Sequence, residues 1–479
     1  MCAWGKHQPT SPVPEWTRRL KSNDPTFTSL NILPFRKPRT DEWKDLFDAL
    51  AHNDHLQELY ASGHPLPSEA LVALGNALPT NRGLRRLCVG HKDLGRTKGF
   101  DQLCHGVLAH SALQVWDLDW KGLGGEEGGA QALAKALLES KKTTTRDPSS
   151  PSSSSSSSPL EHLILSRNGL TEEDGSQLLE ALSALPHLRK LDLGMNDLST
   201  LPSPFLQHWI QGSSTLHSLI LSGNPLSQEG ARALGSSIRT STSLCVLEAS
   251  GSPSEVEDQS PTATYGDALL AGMVEEAVDH KSPCPLERLW LDRVSLGSEG
   301  PSHLGIWLSR HATSLQDLRL RACDLGDTGI QSILSSNPSP SLTQVELGLN
   351  GLTDPSLHLL LRIGGSIQRL GLFGNALTLT SPPLSPEDLL SSQLKTLDIG
   401  GNHIALEGLS SLHTTLLSSS SPLPHLTLIE MGGNRVQGLE EEWSTIIERI
   451  ISSRPSLDLH WKAQPFSSPP PPPPPLPSV

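Results

Sequence analysis

The pattern L-x-x-L-x-L-x-x-N-x-L stands clear at Leu160, Leu163, Leu165, Asn168 and Leu170, then returns in the same frame from Leu188 and from Leu216, in two steps of 28 residues. A chain repeating at a fixed period of this kind does not divide into ordinary globular domains, because each unit buries its apolar face only against its neighbours. Later copies begin at Leu244, Leu286, Leu315, Leu342, Ile367, Leu394 and Leu426, with asparagine kept at Asn350, Asn375, Asn402 and Asn434. Leu457, Leu459 and Trp461 read as a last strand. Upstream, degenerate copies begin at Phe27, Leu56, Leu84 and Leu113, where Phe35, His64, Lys92 and Lys121 stand in the asparagine's place. About fourteen units result.

Each unit has a physical logic. The L-x-L alternation is a short strand whose leucines point inward while the residues between them face the other way. Beyond the asparagine, stretches such as Glu172 to Leu185 place Leu178, Leu179, Leu182 and Leu185 at helical spacing, so the period holds a full helix. Helices are wider than strands about 4.8 Å apart, and stacking therefore bends the array into an arc with strands inside and helices outside. The asparagine amide is suited to bonding backbone groups of its own turn and the adjacent one, which are otherwise unpaired.

These alternating long repeats resemble the ribonuclease-inhibitor-like class of leucine-rich-repeat proteins from Phe27 to Trp461. The resemblance implies an α/β fold: a curved solenoid, or horseshoe, with parallel strands on the concave face and helices on the convex face. It implies less about function, because one fold carries many sites. The class includes NLR-type sensor arrays, activators of the small GTPase Ran, and tropomodulin-like actin regulators. The opening Leu20-Lys21-Ser22-Asn23-Asp24-Pro25, followed by Thr28-Ser29-Leu30-Asn31, is similar to the start of a tropomodulin-type repeat domain.

Composition narrows the partners. A net charge of −14 argues against a phosphate-backbone binder, so nucleic acid is not expected. Cys2, Cys88, Cys104, Cys245, Cys284 and Cys323 form no CxxC pair, which suits unlinked thiols in a reducing compartment. No signal core and no run of eighteen apolar residues is present. The expectation is a cytoplasmic chain with no membrane partner, nuclear access being left open.

The layout expected is an N-terminal tail and cap over 1–26, a solenoid over 27–461, and a disordered proline-rich tail over 462–479. Two insertions interrupt the period, at about 141–159 and 252–265; both are poor in apolar residues and read as disordered loops. Trp16 with Leu20 and the segment Leu439 to Ile451 are expected to cover the ends.

The frame also assigns a face. Tyr60, Trp120, Trp290 and Phe373 are expected on the concave side, with Asp117, Asp119, Asp192, Glu248, Asp292, Glu346, Asp398 and Glu430. Among them Arg288, Arg293, Arg319, Arg321 and Arg369 make a basic patch able to receive an acidic segment of a partner. The competing reading is cross-strand ion pairing, such as Arg319 with Asp292 or Glu346, which serves only the sheet. Trp116 and Trp209 fall in core positions. Asn168, Asn196, Asn224, Asn350, Asn375, Asn402 and Asn434 form a structural ladder.

Catalytic signals are poor. His52 with His55 and His105 with His110 lack a glutamate at metalloprotease spacing, Gly400-Gly401 and Gly432-Gly433 are not followed by a Walker lysine, and no G-x-S-x-G elbow occurs. No cofactor, metal or catalytic residue is assigned. The leading reading is a non-enzymatic protein-interaction scaffold; the resemblance also allows a Ran-type GTPase activator, which this proline-rich tail does not favour, and a tropomodulin-like cytoskeletal regulator. The run Pro469 to Pro475 favours polyproline II, the form that SH3, WW, EVH1 and profilin-type grooves accept. Immobilised domains of those four types should retain the chain and lose it when Pro469 to Pro475 is deleted; equal retention of both forms removes the tail from the list of recognition elements.

Overall fold

The computed structural model describes residues 11–126, 128–144, 158–212, 215–252, 261–275, 284–336, 341–363, 365–380, 392–417 and 423–462. The expected tail and the centres of both expected insertions lie outside these residues. The described strands are β1 (Ser29–Asn31), β2 (Glu58–Ser62), β3 (Arg86–Gly90), β4 (Val115–Asp117), β5 (His162–Ile164), β6 (Lys190–Asp192), β7 (Ser218–Ile220) and β8 (Val246–Glu248). They continue as β9 (Arg288–Trp290), β10 (Asp317–Arg319), β11 (Gln344–Glu346), β12 (Arg369–Gly371), β13 (Thr396–Asp398), β14 (Leu428–Glu430) and β15 (Asp458–His460). All lie side by side, in chain order, in one parallel sheet that curves without closing. The L-x-x-L-x-L frame sets the register: Leu163, Leu191, Leu219 and Leu247 stand opposite one another in successive strands and are buried. Trp116 takes the same column in β4 and is 1% exposed, as its leucine-slot position requires.

The asparagines tie one repeat to the next. Asn196 donates from Nδ2 to Leu193 O in its own turn (2.8 Å) and to Leu165 O in the turn before (3.0 Å). Its Oδ1 accepts from the backbone N–H groups of Asn168 (3.0 Å) and Leu170 (3.1 Å). One buried side chain thus satisfies four backbone groups that leave the sheet together, where an unpaired group is costly. Asn350 and Asn375 repeat the bridge, as does Asn168 across the first insertion, where it donates to Leu118 O at 2.9 Å. In the degenerate copies His64 reaches Ile32 O through Nε2 (3.0 Å), which replaces the donor half of the amide. Lys121 is buried in its slot and donates to Ser62 Oγ at 2.9 Å, whereas Lys92 and Phe35 are exposed.

A second ladder, not foreseen from the repeat frame, runs along the turns that lead into the strands. Asn53, Asn81, His110 and Ser241 are buried there, and each accepts a backbone N–H of the residue that opens the next leucine frame. Asn81 also donates to Leu50 O and Asn53 O, both at 2.7 Å. His110 accepts from Ala112 N (2.9 Å) and Leu113 N (3.0 Å) on Nδ1, so its proton sits on Nε2, 3.1 Å from Asn81 Oδ1.

The second insertion is shorter than the 252–265 read from composition. Thr262 N donates to Arg293 O at 2.9 Å and Ala263 bridges Val294. Tyr265 is 2% exposed and its hydroxyl donates to Ala249 O at 2.6 Å. A single aromatic with a satisfied hydroxyl is enough to return the chain to the core within a polar stretch. At the ends, the helix Val13–Lys21 buries Val13, Thr17 and Leu20 while Trp16 stays half-buried. The helix Glu440–Ser453 buries Trp443, against which Trp461 stacks at 6.0 Å.

Three helix pairs approach more closely than side chains allow, one of them Gly300–Arg310 with Gly326–Ser335, where a Cβ on Gly305 would stand 2.3 Å from Ile333 O. A Cβ on Gly235 would stand 2.1 Å from Leu269 O, and one on Gly272 would stand 2.2 Å from Arg232 O, so the helices Gln228–Thr240 and Gly266–Val274 touch backbone to backbone. Gly75 and Gly106 do the same for Ser68–Ala77 and Phe100–Leu108.

Replacing Asn196 with alanine should cost about 1–3 kcal/mol by chemical denaturation. Asn434, which is half-buried near the end of the array, should cost less, and equal losses would mean that the bridge is not the source. Burial, then the Arg85 charge, pushes the His110 pKa down from 6.5 to about 4. Below 6.5 the unfolded chain takes up a proton that the folded chain refuses, so stability falls from there until about pH 4. Relative to His110→Asn, the wild type should lose about 3 kcal/mol over that window, measured as the gap between their denaturation curves.

Candidate protein-binding face

Residues on either side of the buried strand centre face away from the helices, which places Arg288 and Trp290 of β9 beside Asp317 and Arg319 of β10. The Trp290 ring lies under two guanidinium groups, Arg288 at 4.9 Å and Arg319 at 4.5 Å from its centroid. Its indole N–H donates to Asp317 Oδ2 at 3.1 Å. Arg288 also meets Asp317 (3.3 Å) and Glu248 (4.0 Å), and Arg319 meets Asp292 at 2.9 Å. The cross-strand ion pairs weighed against the basic-patch reading are therefore present for two of the five arginines.

The remaining cations are arranged differently. Arg321 lies in the turn after β10, its guanidinium 5.7 Å over the Phe373 ring. Phe373, 39% exposed, follows β12 and lies across the Gly400-Gly401 backbone, where added Cβ atoms would come within 3.0–3.1 Å of the ring. A Cβ on Gly400 would lie closer still to Gly432 O (2.9 Å), and Gly401 stands in the left-handed region at φ 62°, so the glycines serve the turn as well as the ring. Arg369 stands exposed on β12 between Gln344 and Thr396. No carboxylate of a described residue lies within 4.0 Å of Arg321 or Arg369.

The acidic residues of the face are mostly turn caps. Asp192 accepts from Gly194 N (3.0 Å), Glu346 from Gly348 N (3.2 Å), Asp398 from Gly400 N (2.9 Å) and Asp117 from Asp119 N (3.0 Å). A carboxylate two residues before a glycine is a signal the sequence carried and the repeat frame did not use. Burial outweighs those hydrogen bonds and raises the pKa of Asp192, Glu346 and Asp398; at Asp292 it likewise outweighs the nearby arginines.

The concave set expected from the frame divides in two. Tyr60, Arg288, Trp290, Arg319 and Arg369 stand on strands, whereas Trp120, Arg293, Arg321 and Phe373 stand in the turns that follow, along one edge of the sheet. Turn residues leave the pleat, and Trp120 and Arg293 do so in the left-handed region, at φ 54° and 60°. Tyr60, on β2, and Trp120, after β4, are separated along the sheet from the arginine cluster. Trp209 is buried among the helical segments.

The nucleophile chemistry here is weak. The described cysteines are free, and burial pushes the Cys88 and Cys284 thiols up to about 11, which disfavours thiolate. His105 pairs with Glu139 at 2.8 Å on the helical side, away from His110. Among the described residues no three His, Cys, Asp or Glu side chains converge to hold a metal ion, and no described helix is long and apolar enough to cross a membrane.

A family model described as Leucine Rich repeat matches residues 184–200, 212–235, 311–334 and 391–412. NACHT, LRR and PYD domains-containing protein 14 of Homo sapiens is 26% identical over 445 residues, covering 87% of this chain and 38% of its own length. Ribonuclease inhibitor of Sus scrofa is 26% identical over 327 residues, covering 67% of this chain and 58% of its own. The chain thus spans less than two thirds of the length of these curated relatives, 38% of the one and 58% of the other. Among solved structures, the yeast Rad7 and Elc1 complex aligns over 92% of this chain and 83% of its own, with 17% identity and a TM-score of 0.44. With a period near the upper end of those known for such arrays and a full helix in most of its turns, the chain is a leucine-rich-repeat solenoid of ribonuclease-inhibitor-like form.

Proposed function

We propose that this chain is a non-enzymatic scaffold that binds a protein partner on its concave side, with Arg321, Arg369 and Phe373 taking an acidic segment. The observation that supports this most is the contrast among the arginines. Arg288 and Arg319 are committed to Trp290 and to carboxylates, while Arg321 and Arg369 have none within reach among the described residues. A ring fixed between a guanidinium and two glycines is preorganised, so little side-chain entropy is lost on binding. The porcine relative is by name an inhibitor of ribonuclease, which is consistent with reading this chain as a protein-binding scaffold.

The test is a comparison of variants against whichever partner the wild type captures. Arg321→Ser with Phe373→Ala should weaken that complex by about 30-fold, the size expected of a central anchor. Arg288→Ser should act mainly on stability, since it removes the charge partner of Asp317 and Glu248 and one of the guanidinium groups over Trp290. Unchanged affinity in the Arg321/Phe373 variant removes this site. Acceleration of GTP hydrolysis in a panel of small GTPases by several orders of magnitude would replace the scaffold reading with that of a GTPase activator.

A further inference from the structure

The asparagine position of the repeat frame is buried in most units, whether it holds asparagine, His64, Lys121, Val294 or Cys323. It is exposed at Phe35, Lys92 and Ser252, and Ser252 opens the second insertion. Phe35 and Lys92 follow β1 and β3, whose exits lie two strand steps apart, about 10 Å, on one rim of the sheet.

Phe35 stands at the apex of a tight turn. Arg36 N donates to Leu33 O at 2.9 Å, and Pro34 occupies the corner where its fixed φ suits such a turn. Pro34 also packs on the next exit, since a Cβ on Gly63 would stand 3.1 Å from Pro34 Cγ. The apex therefore presents Leu33, 46% exposed, and Phe35, 69% exposed, in a fixed position. Its backbone has few donors to desolvate: Pro34 and Pro38 have no N–H, and Arg39 N is bonded to Glu42 Oε2 at 2.8 Å.

Cations surround that apex. The Arg36 guanidinium lies 5.3 Å from the centroid of the Phe35 ring, while Arg39 is taken up by Asp41 (3.1 Å) and Glu42 (3.8 Å). At the third exit Asp93 faces His91 at 3.5 Å. No carboxylate of a described residue lies within 4.0 Å of Arg36, Lys37, Lys92, Arg96 or Lys98, all of which are exposed. In a chain of net charge −14 this rim is locally the opposite sign.

An acidic peptide would account for the cations and leave the outermost apolar side chains in water. A surface with anionic headgroups over hydrocarbon accounts for both, because the apex enters the boundary while long Arg and Lys side chains reach back to the headgroups. A rim is also the part of an arc that a plane can touch. No described helix is long and apolar enough to cross a membrane, which bears on crossing and not on surface contact.

We propose that the strand-exit rim of the first three repeats docks on an anionic phospholipid surface, with Leu33 and Phe35 entering the interface and the rim cations on the headgroups. This site is independent of the Arg321 and Phe373 site, which lies at β10 to β12.

The test is sedimentation of the full-length chain with vesicles of phosphatidylcholine alone, and with vesicles in which about 30% is phosphatidylserine. The serine lipid should raise partition at least tenfold. Raising salt from about 0.05 to about 0.5 M should remove most of that gain, because the Debye length falls below about 5 Å. Leu33→Ser with Phe35→Ser should weaken binding at least tenfold, and so should Arg36→Ser with Lys37→Ser, each with a thermal midpoint within about 2 °C of the wild type. Phe35→Trp should keep the binding, and its added emission should shift to the blue on the serine-lipid vesicles. Equal partition onto both vesicle types, unchanged binding after the Leu33 and Phe35 change, or an unshifted Phe35→Trp emission would overturn the proposal. So would loss of binding in Arg321→Ser with Phe373→Ala alone, which would place the contact elsewhere. A polyglutamate peptide bound more tightly than the vesicles, lost with Arg36 and Lys37 but kept without Leu33 and Phe35, would assign the rim to an acidic protein segment instead.

Discussion

An amide that donates to its own turn and to the preceding one, while its oxygen takes two backbone N–H groups of that preceding turn, fixes the spacing of the rest of this molecule. Leucine burial supplies most of the driving force, but burial is non-directional and tolerates slippage. The asparagine bridge is directional. It holds each strand exit at one distance from the last, and the side chains beyond the strands, including Trp120, Arg321 and Phe373, inherit that spacing.

The sheet, the strand centres and the asparagine ladder were legible because each depends on a residue type recurring at a fixed interval. The upstream ladder was not, because Asn53, Asn81, His110 and Ser241 share a hydrogen-bonding role and no single letter. Tyr265 was missed for a related reason: one aromatic in a polar stretch has no period to reveal it. Placement of the proposed binding residues was legible to within the repeat, but not whether they stand on the strand or, like Arg321 and Phe373, in the turn after it. Which side chains remained open was not, since it follows from the pairing of Arg288 and Arg319 across neighbouring strands.

The concave wall of β8 to β12 carries Arg288, Arg293, Arg319, Arg321 and Arg369 against Glu248, Asp292, Asp317 and Glu346, so it is close to charge balance. Under the proposed scaffold role, its selectivity comes from where the unbalanced charges stand. Several carboxylates are spent on backbone N–H groups at the turns, and burial makes them poorer anions than exposed ones. Arg321 and the exposed rings of Trp120 and Phe373 lie toward the strand-exit edge, while Arg369 opens β12, which gives the arc a polarity that a uniform repeat would lack.

The glycine contacts between neighbouring helices have a mechanical consequence. Where Gly235 meets Leu269 and Gly272 meets Arg232, the outer layer is narrower than where side chains separate the helices, which lessens the local bend of the arc. Backbone pressed on backbone also leaves no soft side chains to compress. A tensile load along the solenoid would therefore bypass these joints and strain the wider-spaced repeats toward the C-terminal end, making the molecule a spring of uneven stiffness.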